Sequence, residues 1–257
     1  MSTESVAALD VSVPSRGATR PTTQWHDRPN DWFYFFSAWL IAAAVAYGFS
    51  HTISQNLFRA ATPRPRILWI HAGVFCAWIA VFLLQTALVR SRRLRWHRRL
   101  GVAGLLLGAM MPPIGVATAL VMGRFDVVHG LRDQVYMAAH LSIPLNDMIC
   151  FASVLIAAAW WRKRPDVHRR LILVATCLLT AAAFPRFPFI TVTALRWYAG
   201  VDALLLLAIA HDLIVQRRVH IAYAISVPPV LLGQVVAMWM FLARPHWWIE
   251  FAQRLIA

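Results

Sequence analysis

The sequence predicts an all-α polytopic membrane bundle of about seven transmembrane helices, and three observations predict it. Of the 257 residues, 60% are hydrophobic and 14% are charged, whereas soluble domains are about 45–50% apolar. The apolar residues form blocks of about 20, the length that crosses a hydrocarbon core. The basic residues lie in short segments between the blocks, which is typical of a membrane topology and not of a nucleic-acid surface. Lipid, and not nucleic acid, is therefore the expected partner.

Three parts of the chain differ in composition. Residues 1–31 contain prolines, many serines and threonines and no apolar run, which predicts a disordered cytoplasmic tail. Residues 32–243 hold the apolar blocks and predict the transmembrane bundle. Residues 244–257 begin with Arg244-Pro245, where the last apolar block ends, and are expected to form a short interfacial segment.

The apolar blocks are long enough to be justified one by one as helices. They lie at 32–50, 67–89, 100–122, 135–161, 171–190, 197–215 and 221–242. Prolines, which lack a backbone donor, are expected to kink the third, fourth and seventh helices and to break the fifth near its end. They are Pro112, Pro113, Pro144, Pro228, Pro229, Pro185 and Pro188.

The distribution of Lys and Arg predicts the orientation, because cytoplasmic segments retain positive charge. With the amino terminus inside, 16 of the 25 basic residues fall on the cytoplasmic side, most of them in the segments 90–99 and 162–170. We therefore expect a bacterial inner-membrane protein with a cytoplasmic amino terminus and an external carboxyl terminus. Cys76, Cys150 and Cys177 each lie inside an apolar block and are interpreted as packing residues.

The cytoplasmic segments repeat one pattern. Residues 95–100 read Arg-Trp-His-Arg-Arg-Leu, residues 166–171 read Asp-Val-His-Arg-Arg-Leu, and residues 217–220 are a degenerate copy. The repeat indicates three related hairpins plus one helix. It predicts a basic ring at headgroup depth that anchors the protein to lipid or binds an anionic ligand or a membrane-protein partner. The ring comprises His97, Arg98, Arg99, His168, Arg169, Arg170, Arg218 and His220.

Two histidines lie inside apolar blocks, His71 in the second and His140 in the fourth. At about 1.5 Å per residue they lie about 6 Å and about 8 Å below the outer boundary, which is nearly one layer. Two neutral imidazoles that face each other across a bundle are what axial ligation of haem b requires. Hydrogen bonding between helices is the alternative interpretation of each histidine.

Further polar side chains interrupt the apolar blocks. An ionisable group in hydrocarbon costs roughly 2.5–3.5 kcal/mol on insertion scales, so these groups are expected to face the bundle interior. They are Gln85, Asp147, Asp202, His211 and Asp212, of which Asp147 and Asp202 are the strongest candidates. Near the outer boundary, Arg186 and Arg196 could pair with a haem propionate or another anion, or could extend to the headgroups.

The chain resembles an uncharacterised family of bacterial multispanning membrane proteins. The landmarks are His71, Trp78, Gln85 and Leu88; His97-Arg98-Arg99-Leu100-Gly101; His168-Arg169-Arg170-Leu171 with Ala175-Thr176 and Arg186; and Asp212, the segment 217–220 and Tyr223. The resemblance covers roughly residues 67–225 and implies the fold without implying a reaction. One departure is Ile221, where the family pattern has proline.

Three functional hypotheses follow from these residues. The first is a redox or cofactor-handling protein that binds haem b through His71 and His140. The second is a proton-linked transporter or channel that relays charge across the bilayer through Asp147, Asp202, His211 and Asp212. The third is a noncatalytic accessory subunit whose basic ring binds a partner. The sequence contains no CxxCH, CxxC, phosphate-loop or GxSxG motif, and it decides neither the ligand nor the oligomeric state.

Overall fold

The computed structural model describes residues 29–189 and 197–257, with side chains from Trp32 onward. These residues form helices and no strand. Seven helical segments among the described residues are long and apolar enough to cross a membrane, which confirms the predicted all-α polytopic bundle. The protein is an integral membrane protein. Most of the predicted tail, residues 1–28, and Arg196 lie outside the described residues.

The helices were numbered in chain order. They are α1 (Pro29–Ser50), α2 (Ile67–Arg90), α3 (Leu94–Val128), α4 (Gln134–His140), α5 (Ser142–Trp160), α6 (Pro165–Leu178), α7 (Ala199–Gln216), α8 (Ile221–Ala243) and α9 (His246–Ile256). Helices α4 and α5 together form the fourth membrane span, and α6 with the turns that follow it forms the fifth.

Helix α3 is longer than the apolar block that predicts it. It has 35 residues and begins at Leu94 instead of near residue 100, because the basic segment continues the helix past the hydrocarbon boundary. Its buried glycines allow close contact with other helices. A Cβ at Gly108 would lie 2.7 Å from side-chain atoms of both Trp78 and Leu155. Glycine at this position therefore brings α2, α3 and α5 together.

The fourth span is interrupted at Leu141, between α4 and α5. Pro144 lies three residues later, and its ring removes the donor that would bond to the carbonyl of His140. The sequence predicts that Pro144 kinks this helix, and the structure interrupts the helix directly after His140, the predicted haem ligand. His140 ends α4.

The fifth span loses α-helical geometry earlier than predicted. Helix α6 ends at Leu178, and two 3₁₀ turns follow at Leu179–Ala182 and Phe184–Arg186. The prolines nearby explain part of this change, because they cannot donate to a continuing α-helix. The tighter turns place Arg186 at the end of the span.

Helix α5 lies at the centre of the bundle and packs against α3, α6 and α8. Because successive spans run in opposite directions, the α2–α3, α5–α6 and α7–α8 connections lie at one end, here called the basic end. The carboxyl-terminal segment predicted at 244–257 contains helix α9 at the opposite end. Helix α9 buries Trp248, Ala252 and Ile256 against the bundle, while Trp247 and Phe251 remain exposed on its other side.

Candidate functional site

Five polar side chains from α5, α8 and the start of α7 form two contacting groups, Asn146 with Asp147 and Tyr198, and Asp202 with Gln234, which together are called the interior cluster. The hydroxyl of Tyr198 donates to Oδ1 of Asp147 at 3.0 Å and accepts from Nδ2 of Asn146 at 3.3 Å. One phenol therefore links an acid and an amide on α5 to the start of α7.

Asp202 and Gln234 form the second group, and Asp202 follows Tyr198 by one helical turn. Its backbone N–H donates to the Tyr198 carbonyl at 2.8 Å, and residues four apart lie on one helix face. The buried amide of Gln234 lies beside the Asp202 carboxylate. Among the described residues, however, neither Oδ1 of Asp202 nor Nε2 of Gln234 has a hydrogen-bond partner. Unsatisfied buried polar atoms of this kind are uncommon and call for an explanation.

Gly233 allows α8 to approach α5 at this level. A Cβ at Gly233 would lie 2.4 Å from Oδ1 of Asn146 and 3.3 Å from Sγ of Cys150. A larger residue would push the Asn146 side chain away from the position in which it donates to Tyr198. The absence of a side chain at Gly233 thus helps to assemble the cluster.

The two carboxylates of the interior cluster have no cationic partner in the described part of the chain. Without a fixed counter-ion, a carboxylate surrounded by protein can hold a proton as a neutral acid or release it to a hydrogen-bonded neighbour. No group of three or more His, Cys, Asp or Glu side chains that could hold a metal ion occurs among the described residues.

A second group of polar residues lies near the basic end, and it is called the ion-pair cluster. It consists of Asp166, Arg170, Asp212, Gln216 and His220. Nε and Nη2 of Arg170 donate to the two Asp212 oxygens at 2.7 Å and 2.9 Å. Arg170 is 1% exposed and Asp212 is 0% exposed. This bidentate pair neutralises both charges inside the protein.

The rest of the ion-pair cluster completes the hydrogen bonding of this pair. Nη1 of Arg170 donates to the Asp166 carbonyl at 2.6 Å, and Gln216 donates to Asp212 at 3.3 Å. The Asp166 carboxylate lies 3.3 Å from Nε2 of His220. Burial and the Arg170 guanidinium lower the pKa of His220 below its usual value, and Asp166 only partly opposes them. His220 is therefore a neutral side chain near neutral pH.

Aromatic side chains surround the ion-pair cluster on the α1 side. The ring of Phe33 stacks on His211 with centroids 3.7 Å apart, and the Arg169 guanidinium lies 5.1 Å from the centre of the Tyr34 ring. These contacts use His211 and Arg169 to pack α1 against the bundle.

Only some residues of the predicted basic ring lie at the surface. Arg98, Arg99 and Arg218 are exposed at the basic end, as a surface ring requires. Arg170 is not part of that surface, because it is buried in its pair with Asp212. His97 and His168 are half-buried, and Nδ1 of His168 lies 2.8 Å from the Ala158 carbonyl, which ties α6 to the end of α5.

His71 and His140 lie toward the opposite end, and Arg186 interacts electrostatically with both imidazoles. The ring of His71 stacks on Phe75 with centroids 4.0 Å apart, and its Nδ1 has no partner among the described residues. His140 lies 5.0 Å from Trp197 and 6.1 Å from Phe241 between ring centroids. Arg186 donates through Nε to the Thr52 hydroxyl at 3.1 Å and lies 4.4 Å from the Phe49 ring centre.

Sequence reasoning missed Asn146, Tyr198 and Gln234. Tyr198 follows Trp197 at a block end, where aromatic residues are expected to mark the membrane interface. Gln234 could have been found as a lone amide in an apolar block. Gln85, which was predicted as an interior group, donates to the His97 carbonyl at 3.2 Å and joins α2 to the start of α3. Comparison with family models, curated proteins and solved structures finds no match to this chain.

Proposed function

We propose that this protein is a proton-coupled membrane transporter or channel in which Asp147 and Asp202 take up and release protons. The observation that supports the proposal most strongly is that two intramembrane carboxylates, Asp147 and Asp202, contact only uncharged polar side chains and have no cationic partner among the described residues. Intramembrane acids are costly and usually lie where ions or protons move. The basic end is proposed to face the cytoplasm of a bacterial inner membrane, because arginine-rich segments are retained there.

Tyr198 gives the interior cluster a means of passing a proton between neighbours. Its hydroxyl can donate and accept at once, and it already bonds to Asp147 while sharing a helix face with Asp202. Oδ1 of Asp202 has no well-formed hydrogen bond among the described residues, and Gln234 is its polar neighbour, so this oxygen could accept from a water or a transported solute. Proton transfer to either acid would remove a charge from the bundle interior before any movement of the helices.

Proton flux into liposomes tests the channel form of this proposal, because a channel conducts protons without a solute. The purified protein would be reconstituted with an enclosed pH-sensitive dye, and a potassium diffusion potential would drive protons inward. We expect flux above that of empty liposomes, with a loss of tenfold or more in Asp147→Asn and in Asp202→Asn. Glu250→Gln is the matched control, because Glu250 is 52% exposed on α9. Equal flux in all four proteins would overturn this form of the proposal.

Haem binding through His71 and His140 is a second candidate. The observation that favours it is that Arg186 acts on both imidazoles, and a guanidinium in that place could pair with a propionate. Aromatic rings lie against both imidazoles, where a haem would have to bind. Proton exchange at the interior cluster is therefore the preferred proposal.

A visible absorption spectrum separates the two candidates. Protein expressed with adequate haem should show a Soret band if haem binds, and His71→Ala should abolish it while His51→Ala, an exposed histidine at the end of α1, should not. A colourless protein that still conducts protons would eliminate the haem candidate alone.

A further inference from the structure

A groove at the basic end lies on the outside of the bundle, between the last turns of α2 and the first turns of α3. It has a volume of about 280 Å³ and is lined by Leu84, Leu88, Arg93, Trp96 and Leu100. Pockets for drug-sized ligands run from roughly 300 to 1,000 Å³, so this groove fits a section of chain better than a whole cofactor.

The groove has an apolar part and a basic part. Leu84 and Leu88 are four residues apart and follow one face of α2 toward its basic end, and Leu84 is 50% exposed. Arg93 and Trp96, which is 58% exposed, lie at the turn where α3 begins. Tryptophan and arginine at the end of an apolar stripe mark the depth of the lipid headgroups. The groove thus changes from apolar to basic along the direction in which a lipid lies.

The positive charge around the groove favours a lipid with an anionic headgroup. The α2–α3 turn and the first turns of α3 contain Arg92, Arg93, Arg95, Arg98 and Arg99 and no acidic residue. Among the described residues, no acidic side chain pairs with Arg93, which is the guanidinium that lines the groove. The start of a helix also carries partial positive charge. A phosphate without a compensating choline is the headgroup that this surface complements.

We propose that this groove binds one anionic phospholipid, with an acyl chain along Leu84, Leu88 and Leu100 and the phosphate at Arg93. The site lies on the outside of α2 and α3, whereas the interior cluster is built by α5, α7 and α8. It therefore does not depend on proton transport.

Native mass spectrometry of the full chain in detergent tests the site, with phosphatidylglycerol and phosphatidylcholine added in equal amounts. We expect preferential retention of phosphatidylglycerol. Arg93→Gln should weaken retention about fivefold, since one basic residue near a lipid surface contributes about 1 kcal/mol. Leu84→Trp, which fills the groove from a half-exposed position, should weaken it as much without unfolding the protein.

Arg218→Gln is the matched control, because Arg218 is exposed at the same end but does not line the groove. Equal retention of the two lipids, or equal losses in Arg218→Gln and Arg93→Gln, would overturn the proposal. Competition by glycerol phosphate as effective as that by the whole lipid would also overturn it, because the acyl chain would then have no place in the site.

Discussion

Asp202 and Asp212 lie ten residues apart on the same helix, yet their surroundings are opposite. Asp212 is fully buried and receives two bonds from Arg170 and one from Gln216. Asp202 is half-buried, has no cationic partner and leaves Oδ1 without a hydrogen bond among the described residues. An intramembrane carboxylate that is fixed as an anion by a cation holds helices together, whereas a carboxylate without a cationic partner can gain or lose a proton.

The largest expected effect comes from breaking the ion-pair cluster. Arg170→Ala leaves Asp212 as an unpaired charge inside the protein, which should lower the free energy of unfolding by about 3–5 kcal/mol. Titration with a denaturing detergent measures this value. The double variant Arg170→Met with Asp212→Leu should recover much of the loss, because it removes both charges. A single variant as stable as wild type would show that the pair is not structural.

A much smaller change in stability is expected in the interior cluster. Asp202→Asn removes no ion pair and keeps the shape of the side chain, so the free energy of unfolding should change by at most about 1 kcal/mol. The same titration compares it with Asp212→Asn, which should cost several times more. Equal costs would erase the distinction between the two clusters.

Gly233→Ala disturbs the geometry of the interior cluster without removing a charged group. The new Cβ must displace the Asn146 side chain, but alanine also favours a helix by about 1 kcal/mol. We therefore expect a net stability change below about 1 kcal/mol together with a severalfold loss of proton flux. Gly73→Ala is the control, because nothing lies within 4 Å of the added atom. Unchanged flux in Gly233→Ala would show that the position of the Asn146 side chain does not affect proton transfer.

The smallest effect concerns His220 at the edge of the ion-pair cluster. Its pKa is lowered in the folded protein, so below the ordinary value of about 6.5 the unfolded chain binds more protons. This contribution to stability is present above that pH and is lost as the pH falls. Thermal unfolding of His220→Gln should therefore show a weaker loss of stability on acidification than wild type. An identical pH profile would contradict this assignment.

The spans were predictable from sequence because hydropathy over about 20 residues depends only on local composition. The effect of Pro144 on the fourth span was predictable for the same reason, since the missing donor acts within one turn. The partnership of Arg170 with Asp212 was not, because 42 residues separate them and the His-Arg-Arg-Leu repeat suggests a surface arginine. Asp147 and Asp202 were found as unusual residues, but only the three-dimensional arrangement shows that Asp147 bonds to Tyr198 and that Asp202 lies beside Gln234.

Infrared difference spectroscopy between acidic and alkaline pH, on the protein in lipid nanodiscs, measures proton exchange at Asp147 and Asp202 without any solute. Protonation of a carboxylate inside the bundle produces a carboxylic-acid carbonyl band. We expect such a band in wild type and in Glu250→Gln, and its loss in the double variant Asp147→Asn with Asp202→Asn. A band that persists unchanged in the double variant would contradict the assignment of proton exchange to the interior cluster.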